Sequence, residues 1–109
     1  MVGVGVLQEL LKTHRPFDSF YIYDLKVLTQ AYEEWKRAFP AVTPYYAVKC
    51  NPLPGVLRAL YRGGVRHFDT ASLNEVELIR GMFGKKSTPY FNHPIKALIG
   101  WLKYGVDFF

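Results

Sequence analysis

Residues 44–52 read Pro44-Tyr45-Tyr46-Ala47-Val48-Lys49-Cys50-Asn51-Pro52, and this stretch sets the architecture of what surrounds it. The run from Tyr45 to Val48 is aromatic and β-branched, the composition of a buried strand. It predicts a strand over 45–49 that ends in Lys49, with Asn51-Pro52 stopping further extension. A lysine at the end of a buried strand, on the rim of a pocket, suits nucleophilic chemistry. Desolvation favours a neutral amine, and a neutral amine condenses with an aldehyde to an imine. The same pattern fits a solvated charge that merely ends a strand, and both readings stand at this level.

Working outward, strand-like and helix-like segments alternate. Phe20-Tyr21-Ile22-Tyr23 predicts a strand, and Asp24 an N-cap for a helix over 25–39, whose Leu28, Ala31, Tyr32 and Trp35 share a face. A helix is expected over 54–62, closed by Gly63-Gly64, then a strand over 65–69. Ser72 caps a helix over 73–83, with Glu75 at capping-box spacing. A strand over 89–92, a helix over 95–104 opened by Pro94, and a strand from Val106 complete the pattern. Repeated βα units predict an α/β fold with a parallel sheet covered by helices. The polar residues Lys49, Asp69, Asn92 and His93 fall at strand ends, the rim where a (β/α)8 barrel carries its chemistry. A full barrel needs about 250 residues. The 109 residues here supply three to four units after a first strand and helix, so the expectation is a partial TIM barrel, the N-terminal part of something larger or a truncated product.

Composition narrows the function classes. Half the residues are hydrophobic, enough for a core, and no run approaches the roughly 18 apolar residues of a membrane span. The apolar start, Val2 to Leu7, lacks a basic flank, which argues against a secretory signal. Cys50 is the sole cysteine, excluding an intrachain disulfide and a cysteine-rich metal site; no metal is expected, and a cytoplasmic setting is. The net charge of +5 is spread among acids rather than gathered in a stripe, so neither nucleic acid nor membrane is an expected partner. Gly3-Val4-Gly5-Val6 is a weak glycine signal with no phosphate-cradling helix expected behind it.

Several motifs in one order resemble the ornithine decarboxylase-like family of pyridoxal-phosphate enzymes, which have the alanine-racemase-like fold. Tyr45 to Pro52 resembles its cofactor-lysine motif, and Phe20 to Asp24 its opening strand. Phe68-Asp69-Thr70-Ala71-Ser72 resembles its Phe-Asp-x-Ala-Ser segment, followed by Glu75-Val76-Glu77-Leu78. Tyr90 to Lys96 resembles its Asn-Pro-x-Lys turn, with His93 where many relatives have Asn. The likeness covers 17–109, read as the N-terminal part of a cofactor-binding barrel domain; residues 1–16 are read as an extension before it.

The resemblance implies pyridoxal 5'-phosphate held as a Schiff base on Lys49, the catalytic residue. It implies Asp69 near the imine, with a turn or capping acid as the plain alternative. Glu75 would face the cofactor, serve as a capping-box acid, or do both. Ala47 would leave room for the cofactor ring or be ordinary core. His93 would be a proton donor or a structural strand-end residue. The implied reaction is decarboxylation of a basic amino acid, ornithine to putrescine in polyamine synthesis, by a homodimer when full length. Diaminopimelate or arginine decarboxylation, racemisation, or a non-catalytic truncated homologue are the alternatives. The family's phosphate-binding loop, ring-stacking histidine, pyridine-pairing acid and β-sheet domain are expected beyond Phe109, so the chain alone is expected to be inactive. The Lys49–Asp69 spacing is one residue longer than the family pattern, absorbed in Gly63 to His67.

Overall fold

The computed structural model describes residues 3–14 and 19–91. Its elements are α1 (Val4–His14), α2 (Leu25–Ala38), β1 (Tyr46–Ala47), α3 (Pro54–Gly63), β2 (His67–Thr70), α4 (Leu73–Phe83) and β3 (Thr88–Phe91). Short 3₁₀ turns follow β1 at Val48–Cys50 and α4 at Gly84–Lys86. The three strands form one parallel sheet in the order β1-β2-β3. Sequential order, with a helix between each pair of strands, agrees with the winding of a barrel wall.

The helices begin and end where capping chemistry dictates. Asp24 accepts from the Lys26 N–H at 3.2 Å and starts α2. Pro54 sits in the first turn of α3, where its missing N–H costs nothing. Gly64 ends α3 with φ 115°, a conformation open to glycine, and a Cβ there would lie 3.1 Å from the Tyr32 ring. The core joins Val48, Val56, Leu57, Leu60, Val65, Phe68 and Ile79, all buried, with Leu28 and Tyr32 of α2 packed against it. Alternation along β2 is clean: Phe68 and Thr70 are buried, while His67 and Asp69 are half-buried on the opposite face. One face of the sheet therefore rests on helices, and the other carries the candidate site.

Three expectations change. Residues 20–23 make no strand among the described residues: Phe20, Tyr21, Ile22 and Tyr23 have no regular secondary structure and are exposed, and β-rich composition without a neighbouring strand forms no ladder. Residues 1–16, for which no element is expected, contain α1, where Val4, Leu7 and Leu11 recur at helical spacing. The strand expected over 45–49 shrinks to Tyr46–Ala47. The predicted helix over 95–104, the strand from Val106, and Asn92, His93 and Lys96 lie outside the described residues.

Candidate active site

The site begins with a change of backbone after β1. Pro52 drives Asn51 into extended geometry, φ −160° and ψ 101°, and the three residues before it wind into the 3₁₀ turn. The Asn51 side-chain oxygen accepts from the Leu53 N–H at 3.2 Å, closing a second small turn. The Tyr46 hydroxyl donates to the Asn51 carbonyl at 3.2 Å and ties the loop back to β1. Burial, and secondarily the nearby Cys50, pushes the Tyr46 phenol above its ordinary value. This gives Asn51 a role that its place in the motif alone does not reveal.

Val48, at the start of the turn, is fully buried, and Lys49 beside it is exposed. The turn thus anchors one residue in the core and presents the next to solvent at the C-terminal rim of β1. The strand-face rule that placed Ala47 and Lys49 together does not extend past Ala47, since β1 ends there. The burial expected around Lys49 is likewise not provided by the described residues.

Ala47 stands opposite Asp69 in register, and Asp69 opposite Tyr90. In a parallel ladder, residues in register share a face. Ala47, Asp69 and Tyr90 therefore form one layer on the face opposite Phe68, at the level from which the chain turns to Lys49. Ala47 also lines an apolar groove along β1 with Leu28, Tyr32 and Trp35, so its small side chain borders the core as well as the site.

Glu75 makes the bonds of a capping residue. Its N–H donates to Ser72 Oγ at 3.2 Å, and its Oε2 accepts from the Ala71 N–H at 2.7 Å. The second bond reaches one residue further back than in the usual capping box, and so fixes the loop leaving β2 immediately after Asp69 and Thr70. Thr70, buried, donates its hydroxyl to the Tyr90 carbonyl at 2.8 Å and locks β2 to β3 beside that loop.

A cluster on the same face was missed by the sequence reading. The Tyr45 ring lies 4.9 Å from His67 and 5.8 Å, edge-on, from Tyr90. The signal was present: Tyr45 precedes Ala47 by two residues and His67 precedes Asp69 by two, the spacing of one strand face.

The donor set fits the aldehyde end of pyridoxal phosphate: an accessible primary amine, a carboxylate on the adjoining strand, and a small residue in register with that carboxylate. Residues 25–99 match the family model for the pyridoxal binding domain of pyridoxal-dependent decarboxylases. The chain is 37% identical over 101 residues to a probable ornithine decarboxylase of Dictyostelium discoideum, covering 88% of this chain and 21% of that one. It is 38% identical over 90 residues to the ornithine decarboxylase of Schizosaccharomyces pombe, covering 83% and 20%. Among solved structures it resembles the arginine decarboxylase of Paramecium bursaria Chlorella virus bound to agmatine, with TM-score 0.73 and 34% identity over 82% of this chain and 24% of that one. The chain thus spans about a fifth of the length of the curated relatives it matches. The β1-β2-β3 sheet with its helices is part of a (β/α)8 barrel, as expected. The chain belongs to the pyridoxal-dependent decarboxylases, and the match lies in their pyridoxal binding domain.

Proposed function

We propose that this chain supplies the lysine side of the cofactor site of a decarboxylase acting on a basic amino acid, ornithine, in polyamine synthesis. The observation that carries the reading is the presentation of Lys49 at the rim of β1, beside a layer in which Ala47 and Asp69 are in register. Pyridoxal phosphate, when bound, supplies the electron sink that makes loss of carbon dioxide from an amino acid feasible.

The chain's residues do the rest. Lys49 Nζ would hold the cofactor covalently at its aldehyde carbon. The Asp69 carboxylate favours a proton on that nitrogen, since an opposite charge nearby stabilises the cationic form. Ala47 leaves space in front of Asp69. Glu75 serves the site by holding the loop after β2 through its bond to Ala71.

Residues 17–109 are proposed as the N-terminal part of the barrel domain, with residues 1–16 preceding it. Homodimerisation, a cytoplasmic location and the absence of nucleic-acid or membrane partners belong to the same reading. Its support is the interleaved charge, and the fact that no described helix is long and apolar enough to cross a membrane. Arginine is the second substrate, favoured by the arginine decarboxylase among the similar structures.

The test is spectroscopic. Pyridoxal phosphate added to the chain is expected to give an imine absorbance that Lys49→Ala selectively lowers, and Lys26→Ala does not. Equal absorbance in the two variants would refute Lys49 as the attachment point.

A further inference from the structure

Resting on the reading of Lys49 and Asp69 just given, we propose that His67 is a positioning residue: its ring contact with Tyr45 clamps β1 to β2 and so fixes Lys49 relative to Asp69. The need for a clamp follows from the ladder. β1 pairs with β2 through Tyr46 and Ala47 alone among the described residues, a short tie for the strand that carries Lys49. Backbone pairing this short leaves much of the hold on β1 to side-chain contacts, on the core side through Tyr46 and Val48. Tyr45 lies just before β1, and its ring reaches His67 at 4.9 Å with a 45° tilt. The contact extends the grip of β2 on β1 by one more residue, on the site face of the sheet.

Tyr90 closes the arrangement from β3. It is in register with Asp69, and its ring meets Tyr45 edge-on, at 83° and 5.8 Å. Tyr45 and His67 thus meet one step, two residues or about 7 Å, below the Ala47–Asp69 layer, and the Tyr90 ring reaches them from that layer. The helix side of the sheet is held by the core that joins Val48 and Phe68, the neighbours of Lys49 and Asp69, and the Tyr45–His67 contact is the matching tie on the opposite side. Aromatic pairs in such tilted and edge-on geometries add attraction beyond area burial. By strand alternation, the titratable groups of β1, β2 and β3 on this face are Tyr45, His67, Asp69 and Tyr90, with Lys49 at the turn above.

The readout is the pH midpoint at which the nitrogen of cofactor-bound Lys49 loses its proton, followed by absorbance on the whole chain, with the Lys49→Ala signal subtracted. All variants are measured below their unfolding temperatures. Asp69→Asn is expected to lower the midpoint by about one pH unit, through loss of the opposing charge. His67→Leu is expected to lower it by about half a unit, because Lys49 and Asp69 drift apart. His67→Phe, which keeps a ring against Tyr45 but carries no charge, is expected to keep the native midpoint. An unmoved midpoint in His67→Leu, with Asp69→Asn lowered, would overturn the clamp and leave the site reading intact. Equal drops in His67→Leu and His67→Phe would also overturn it, since the imidazole itself and not ring packing would then matter. An unmoved midpoint in Asp69→Asn would instead remove the role of Asp69, and the clamp with it.

Discussion

Tyr46 does two jobs at one position: its ring packs against the core, and its hydroxyl holds the loop that follows Lys49. Its phenol is raised first by burial and then by Cys50, from an ordinary 10.0. A proton held more tightly in the folded state contributes stability that is complete below the unfolded pKa and is lost as pH rises through the folded one. Resistance to urea is therefore expected to fall above about pH 10, and Tyr46→Phe to make that fall shallower. At neutral pH the same variant is expected to cost about 1 kcal/mol for the lost hydrogen bond. Denaturation curves from neutral to alkaline pH check both. Strand-end chemistry and motif order both mark Lys49 and Asp69 in the sequence as candidates. The exposure of Lys49 was not legible there, because it depends on a 3₁₀ turn set by Pro52 three residues later and by a tyrosine on the strand before it.

Among the elements, α4 and the end of α3 are the most exactly specified. Ser72 and Glu75 exchange bonds with the backbone at the start of α4, so Ser72→Ala is expected to cost about 1 kcal/mol in thermal denaturation. The left-handed Gly64 meets Tyr32 from α2, so Gly64→Ala carries both backbone strain and a close contact, about 1–2 kcal/mol or more. A melting temperature unchanged by Gly64→Ala would show that α3 does not end as described. Both caps were readable from sequence, since their chemistry is local. The short β1 and the unpaired 20–23 segment were not, because a strand exists only where a neighbour supplies its hydrogen bonds. The Tyr45–His67–Tyr90 cluster escaped for a related reason: its members come from three separate segments, and the register of the sheet brings them together.

Taken whole, the molecule is a stretch of barrel wall, with a helix-backed core on one side and a chemically furnished face on the other. Truncating the buried Phe68, which carries both the sheet and α4, is expected to cost about 3–5 kcal/mol and to melt the sheet as a unit. Circular dichroism against denaturant reads that loss. The chain alone is expected to release no carbon dioxide from ornithine at enzyme-like rates, because Lys49 is open to water in the described structure. The barrel winding was legible because alternation, helix caps and strand-end polar residues agree with one another, and such agreement across levels marks a specified fold. The central claim rests on Lys49, and trapping tests it most directly. The chain is treated with limiting pyridoxal phosphate, reduced with borohydride and digested, and the modified peptides are identified. The account predicts a reduced adduct concentrated on the peptide containing Lys49, and loss of that adduct in Lys49→Ala. An adduct spread evenly over the exposed lysines, or concentrated on another one, would contradict it.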